Sequence, residues 1–167
     1  MTTENNIILN HEEIKNKIRR IAYQIYESNV DTEEIILAGI ANNGYILAKK
    51  LKLVLQKISG KTVTLCKVVI DKKQPLAPIS TSLTPEEYAN KSVILVDDVL
   101  NSGTTLIYGV KHFLEVPLEQ FKTAVLVNRN HKKYPIKADY KGLSLSTSLS
   151  EHINVVLEGN EFVATLE

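Results

Sequence analysis

Disulfide bonds and membrane spans are both excluded by what this sequence lacks. Its single cysteine, Cys66, cannot form an internal disulfide, which excludes a cystine-stapled fold and is typical of a reducing cytosol. No apolar run approaches the ~20 residues that cross a bilayer, and the polar first residues lack the apolar core of a signal peptide. We therefore expect a cytoplasmic protein that makes no membrane contact.

The sequence also lacks an excess of charge of either sign. Lysine and arginine together number 20 and aspartate and glutamate 19, for a net charge of +1. Such a balance provides no overall attraction to nucleic acid, although the local basic runs at 72–73 and 131–133 remain possible contacts. With 44% hydrophobic and 23% charged residues, the 167 residues fit a single globular domain over 1–167, with Cys66 in its core.

Helical and β-branched segments alternate along the chain. Asn10 and Glu13 resemble a capping box before the first apolar stripe, and the second stripe ends at Gly60. Between the second and third strands, residues 71–85 hold three prolines and predict a loop that is functional or mobile. Helices are predicted over 11–28, 47–58 and about 104–114, and strands over 34–40, 62–70, 92–96, 122–128 and 141–145, with a hairpin of 153–157 and 161–166. This order predicts an α/β fold.

The most informative stretch is the strand that ends in Asp97 and Asp98. A near-continuous apolar run precedes the two acids, and a Ser/Thr/Gly loop and a helix follow them. In an open parallel sheet the ligand crevice lies at such strand ends, and a loop that opens a helix can present N–H groups to a phosphate. An anion cradle beside two acids suits a sugar phosphate. The alternative is a helix cap, although a cap needs only one acid.

The segment VILVDDVLNSGTTL resembles the phosphoribosyl diphosphate (PRPP) signature of type I phosphoribosyltransferases. The turn Gly39 to Gly44, residues 124–140 and Ser146 to Ser148 are similar to one subfamily, the pyrimidine-operon regulators that double as uracil phosphoribosyltransferases. The resemblance implies a twisted, mostly parallel sheet flanked by helices, with a small hood built from terminal segments. The loop 71–85 would be a flap over PRPP.

The resemblance also implies roles for individual residues. Asp97 and Asp98 would be the catalytic acids and bind the ribose hydroxyls. Mg²⁺ would be held by substrate and water, with no direct protein ligand. The 5′-phosphate and ribose would be bound by Asp97, Asp98, Asn101, Ser102, Gly103, Thr104 and Thr105, and the pyrophosphate by Ala41, Asn42, Asn43, Gly44, Lys72 and Arg129. A surface salt bridge is the alternative for Arg129.

Four positions depart from the family pattern. Ala41 and Asn43 stand where the regulators have a basic residue and an arginine, so the pyrophosphate turn lacks two cations. Asn101 replaces an aspartate of purine-using members and a tyrosine of pyrimidine-using ones, and it cannot act as a base. Thr104 replaces a basic residue of the phosphate loop. A lysine of the flap, Lys72 or Lys73, could compensate.

Several functions remain open from the sequence. The favoured one is PRPP-dependent transfer to a pyrimidine, most simply uracil, which serves pyrimidine salvage. Alternatives are a nucleotide-sensing, RNA-binding regulator of pyrimidine genes with little catalysis, and a purine-salvage transferase. Expected partners are PRPP and a nucleobase or nucleoside monophosphate, with RNA only in the regulator reading, and a second copy of the chain, since the family implies at least a dimer. His11, His112 and His152 are predicted at the surface or in caps, whereas His131 is either a surface or a hood residue.

Overall fold

The computed structural model describes residues 6–148 and 151–167; the polar first five residues, on which the signal-peptide prediction rests, lie outside them. The helices are α1 (His11–Ser28), α2 (Asn43–Ser59), α3 (Pro85–Tyr88) and α4 (Thr104–Phe113). The strands are β1 (Ile7–Leu9), β2 (Glu34–Ile40), β3 (Thr62–Val69), β4 (Ser80–Thr81), β5 (Ser92–Leu100), β6 (Gln120–Arg129), β7 (Tyr140–Leu145), β8 (Ile153–Val156) and β9 (Val163–Leu166). No helix in these ranges is long and apolar enough to cross a bilayer.

A six-stranded sheet with the order β4-β3-β2-β5-β6-β7 organises the chain. All of its neighbouring pairs are parallel except the pair of β3 and β4. The chain leaves β2 toward β3 on one side, and it leaves β5 toward β6 on the other. The adjacent carboxyl ends of β2 and β5 therefore form the switch point at which open α/β sheets bind ligands.

Both faces of the sheet are covered, which explains the continuous apolar runs of its central strands. Ile35 and Leu37 of β2 pack with the buried side of α1 and α2. Ile36 and Ala38, which point to the other face, pack with α4 and with Tyr88 of α3. Cys66 belongs to this second layer and is fully buried, as expected for a core residue.

The sequence signals for the start of α1 and the end of α2 are both confirmed. The side chain of Asn10 accepts from the Glu13 N–H, and the Glu13 carboxylate accepts from the Asn10 N–H, so the capping box at the start of α1 is confirmed. Gly60 ends α2 in a left-handed conformation at φ 67°, which glycine adopts without a steric cost.

The terminal strands form a separate antiparallel sheet with the order β1-β9-β8, which we call the hood. The hairpin of β8 and β9 was expected from the sequence, whereas β1 was not. Three residues are too short for a clear period-2 pattern, and β1 is held by pairing with β9 rather than by its own propensity. His11 secures the junction, because its Nδ1 accepts from the Phe162 N–H at 3.0 Å.

The prediction of an unstructured loop over 71–85 is wrong at its C-terminal end. Ser80–Thr81 form β4, which pairs antiparallel with β3, and Pro85 begins α3. The Ser82 hydroxyl accepts from the Lys67 N–H at 2.7 Å, so a polar side chain extends this short pairing. Of the expected flap, residues 71–79 hold no helix or strand, and the name flap is used for them below.

Candidate active site at the ends of β2 and β5

A cavity of about 390 Å³ opens at the switch point of the sheet. Its walls come from five parts of the chain: the start of α2, the flap, the end of β5 with the loop into α4, β6, and the hood. The lining residues are Asn43, Lys72, Asp97 to Leu106, Val125 and His152 to Val155. The sequence-predicted acids and phosphate loop are thus brought into one concave site.

The two carboxylates differ in their surroundings. Asp97 is only 5% exposed, while Asp98 is half-buried. Burial first, and then the neighbouring charge of Asp98, raise the pKa of Asp97 well above its usual range, although the nearby Lys72 opposes this. The Asp98 N–H donates to Asp97 Oδ1 and the Val99 N–H donates to Asp98 Oδ1, both at 2.9 Å. The pair therefore offers one buried, easily protonated acid beside one accessible acid.

The loop between β5 and α4 has the shape of a phosphate cradle. Gly103 has φ 88°, and a Cβ there would lie 2.4 Å from Ile136 Cγ2, so this position requires glycine. The hydroxyls of Ser102 and Thr104 lie 2.9 Å apart. Since α4 begins at Thr104, its first N–H groups and its dipole favour an anion at this point. The Ser102 carbonyl accepts from the N–H groups of Lys133 and Tyr134, and these two bonds hold the loop against residues 133–134.

The turn from β2 into α2 meets the acid pair closely. A Cβ on Gly44 would lie 2.5 Å from the Val96 carbonyl oxygen and 2.9 Å from Asp97 Cα. Asn43 is brought into the cavity, where its Nδ2 donates to Asp98 Oδ2 at 3.0 Å and to the Val155 carbonyl at 2.9 Å. Asn42 faces a neighbouring depression with Lys49 and Lys67, which Asn43 also lines. Ala41 and Gly44 contribute backbone to the turn.

The two cations predicted for the pyrophosphate lie apart. Lys72 lines the cavity beside the acid pair, whereas the exposed Lys73 does not. Arg129 lines a second depression, together with Asn101, Ser102 and residues 130–133. Its guanidinium donates to Thr147 Oγ1 at 2.7 Å, to Asn101 Oδ1 at 3.2 Å and to the Ser148 carbonyl at 2.7 Å. Arg129 and Lys72 thus line different depressions, which share Asn101 and Ser102 as common walls.

The resemblance implied a hood that closes over the base, but sequence reasoning did not identify which hood residues reach the site. Residues His152 to Val155 line the cavity, and His152 is exposed there, as expected for a surface residue. Nothing in the local pattern of β8 marks it, because the apolar–polar alternation of a strand identifies its buried face but not what its edge meets. His131 lies in the depression with Arg129, outside the cavity that holds the acid pair.

Comparison with known proteins identifies this arrangement. Residues 4–159 match the phosphoribosyl transferase domain family. The chain belongs to the phosphoribosyltransferase family. It is 35% identical to the bifunctional protein PyrR of Bacillus subtilis, with 96% of each chain covered. It is also 36% identical to the bifunctional protein PyrR of Streptococcus thermophilus over 86% of this chain and 85% of that one. This phosphoribosyltransferase therefore belongs with the PyrR proteins, as its sequence motifs predicted.

Solved phosphoribosyltransferases confirm the fold. The hypoxanthine-guanine phosphoribosyltransferase of Bacillus anthracis superposes with a TM-score of 0.77 at 19% identity, covering 97% of this chain and 98% of that one. The hypoxanthine phosphoribosyltransferase of Trypanosoma cruzi gives a TM-score of 0.77 at 17% identity, with 96% and 95% covered. At such low identity the likeness supports the fold, a mostly parallel sheet flanked by helices, and not the base used.

Proposed function

We propose that this phosphoribosyltransferase transfers ribose 5-phosphate from PRPP to uracil and releases pyrophosphate. The observation that carries the proposal is the placement of Asp97, Asp98 and the Gly103 loop in one cavity beneath the hood. The accessible Asp98 accepts hydrogen bonds from the ribose hydroxyls, and Asp97 holds the Asp98 backbone in place by accepting from its N–H. The amides and hydroxyls of residues 101–105 hold the 5′-phosphate.

Charge on the leaving group is the main demand of the reaction. As the bond to pyrophosphate breaks, positive charge grows at the anomeric carbon and negative charge on the departing oxygens, so positioning and electrostatics carry catalysis. The turn of residues 41–44 offers amides but no cation, so Lys72 of the flap supplies positive charge beside the acids. Closure of the flap would also exclude water.

Magnesium fits this site through the substrate. No cluster of three or more His, Cys, Asp or Glu side chains that could hold an ion by itself occurs in the described part of the chain. Mg²⁺ would be held by the substrate and water, and the half-buried Asp98 would accept hydrogen bonds from that water. When bound, Mg²⁺ neutralises charge on the leaving pyrophosphate.

The hood and Asn101 both bear on the choice of base. Residues 152–155 line the cavity that also holds the acid pair, so we place the base that accepts the ribose under β8. Asn101 has no basic group to offer a purine imidazole, and its amide oxygen already accepts from Arg129. The lack of a basic group at this position favours a pyrimidine over a purine.

A turnover assay tests the proposal. The protein is incubated with PRPP, Mg²⁺ and a panel of uracil, cytosine, hypoxanthine and guanine, and nucleotide formation is measured. We expect UMP as the main product.

Asp98→Asn places an amide N–H₂ against either the Val99 N–H or Asn43, and it removes a charged acceptor. Its affinity for PRPP should fall by about 1.5–3 kcal/mol in calorimetry. No nucleotide from any base, or full PRPP affinity in the folded variant, would contradict the proposal.

A second function, RNA-binding regulation of pyrimidine genes, is favoured by one observation. Arg129, His131, Lys132 and Lys133 line a depression of about 630 Å³ beside the phosphate loop. A basic surface next to a nucleotide site suits a regulator whose RNA affinity responds to bound nucleotide. Filter binding to a pyrimidine-operon leader RNA at several salt concentrations tests this, with Lys132→Ala/Lys133→Ala expected to lower the affinity and its salt dependence. Binding that is absent or insensitive to salt argues against regulation.

Self-association in the cytoplasm completes the proposal. Leu53 of α2 is 70% exposed and Tyr23 of α1 is 41% exposed, and both border one depression on the outer face of these helices. Apolar groups of this size on an outer face suit an interface with a second copy of the chain. Sedimentation of the wild type and of Leu53→Glu tests this. We expect at least a dimer for the wild type and a monomer for the variant.

A further inference from the structure

The side chain of Asn43, at the start of α2, connects two other elements of the site, β5 and β8. Its Nδ2 donates one N–H to Asp98 at the end of β5 and the other to the Val155 carbonyl of β8. We propose that Asn43 is a positioning residue that fixes the Asp98 carboxylate against the hood, so that the ribose site and the base site are assembled before any ligand binds. This inference rests on the proposed function and adds to it a role for Asn43 apart from pyrophosphate binding.

The two acceptors determine the orientation of the Asn43 side-chain amide. A carboxylate oxygen and a backbone carbonyl oxygen both lie within 3.0 Å of the same nitrogen. The reverse orientation would place the amide oxygen against two oxygens, so only Nδ2 fits at this point. A single side-chain nitrogen with two N–H groups is therefore fully used as a bridge.

The bridge completes the orientation of Asp98. Its Oδ1 accepts from the Val99 N–H at 2.9 Å and its Oδ2 accepts from Asn43, so the two oxygens are held by donors from different elements. Both donors are neutral, so they place no opposite charge beside the carboxylate and leave its remaining lone pairs for the ribose hydroxyls. A neutral bridge holds the acid without forming an ion pair that ligand would have to break.

The hood end of the bridge lies on an open strand edge. β8 is the outer strand of the sheet β1-β9-β8, and Val155 is opposite Ala164 of β9. A carbonyl on the outer edge of a strand has no neighbouring strand to supply a donor. Asn43 supplies that donor from α2, and it thereby links the hood to the parallel sheet across 112 residues of sequence.

Close contact beneath Asn43 keeps the bridge in place. Because Gly44 lacks a Cβ, the first turn of α2 lies directly against Val96 and Asp97 of β5. The Asn43 side chain therefore starts from a backbone position that has little freedom to move away from Asp98. Loss of the bridge should loosen the hood rather than the acid-bearing strand.

The test compares three variants by turnover and by hydrogen exchange. Asn43→Ala removes both donors and only deletes atoms. Asn43→Asp keeps the size but places a carboxylate against the Asp98 carboxylate and the Val155 carbonyl. Asn160→Ala, an exposed residue in the turn of the hood hairpin, is the matched control. Exchange is followed on peptides that cover 152–157 and 93–100, in the protein without ligand.

We expect Asn43→Ala to speed exchange over 152–157 about tenfold, to leave 93–100 nearly unchanged, and to raise the KM for uracil about tenfold with a smaller change in kcat. Asn43→Asp should be worse than Asn43→Ala at pH 8. It should recover toward Asn43→Ala as the pH falls and one carboxyl of the new pair takes a proton. A general loss of packing would not give this pH-dependent recovery. The control should resemble the wild type in every measurement.

Two results would overturn the inference. One is exchange over 152–157 that is the same in Asn43→Ala and the wild type. The other is an Asn43→Asp profile that parallels that of Asn43→Ala at every pH. The exchange data need no turnover, so they decide the role of Asn43 even if the wild type fails to make UMP, an outcome that would count against the proposed function alone.

Discussion

Asp97 illustrates how a site residue can lower the stability of the fold that carries it. The carboxyl is almost fully buried, and burial together with the charge of Asp98 raises its pKa. A group whose folded-state pKa is raised stabilises the protein below its unfolded pKa, and this contribution is lost as the pH rises through the folded-state value. Above that folded-state value the folded protein carries a buried charge that it would be more stable without.

Asp97→Asn tests this at the residue scale. The amide has the same shape, its oxygen can still accept from the Asp98 N–H, and it cannot ionise. We expect the variant to gain in free energy of unfolding relative to the wild type as the pH rises from about 4 to 8, while PRPP binding weakens. Urea denaturation across this range measures it. A stability difference that does not change with pH would show that Asp97 is not strained by its charge.

At the scale of elements, the contact of α2 with β5 builds the site. Gly44 allows the helix to begin within van der Waals range of the strand that carries the acids. The sequence showed a glycine in the turn after β2, which the family resemblance assigns to the pyrophosphate site. The structure shows that a Cβ at this glycine would also meet Val96 and Asp97 of β5. A local pattern reveals that a Cβ is missing but not which atoms occupy the space.

Gly44→Ala is expected to disturb both stability and ligand affinity, because its Cβ meets backbone atoms that cannot rotate away. Gly60→Ala is the matched control. Gly60 has φ 67° and open space around it, so alanine there costs about 1 kcal/mol from the backbone alone and leaves the site intact. Urea denaturation and PRPP calorimetry separate the two. Normal PRPP affinity in Gly44→Ala would contradict the role given to this contact.

The flap is a second element whose proposed role can be tested. Residues 71–79 carry Lys72 to the cavity, while β4 anchors the segment that follows. We expect PRPP with Mg²⁺ to slow trypsin cleavage after Lys72 and Lys73 severalfold, because closure on the ligand orders this backbone. Lys72→Ala should reduce the protection by weakening PRPP binding. Equal cleavage with and without ligand would contradict a flap that closes.

For the whole molecule, the two buried layers on either side of the sheet set the stability. Cys66 lies in the layer beneath α3 and α4, and burial raises the pKa of its thiol. Thiolate is the reactive form, so the native protein should label with a thiol reagent at least a hundredfold more slowly than the protein in 8 M urea. The residual native rate then reports opening of this layer. Rapid labelling of the native protein would show that β3 is not firmly packed.

The sequence by itself determined the α/β class, the capped start of α1, the end of α2 at Gly60 and the acid pair before a Ser/Thr/Gly loop, because each is encoded within a few neighbouring residues. Only the tertiary structure decided that Asn43 bridges Asp98 and Val155, that residues 152–155 close the cavity, and that Arg129 turns toward Asn101. These contacts join segments 28 to 112 residues apart. Local periodicity indicates which segments are helices or strands and which of their faces is buried, whereas tertiary packing brings distant segments together and so specifies which polar groups meet.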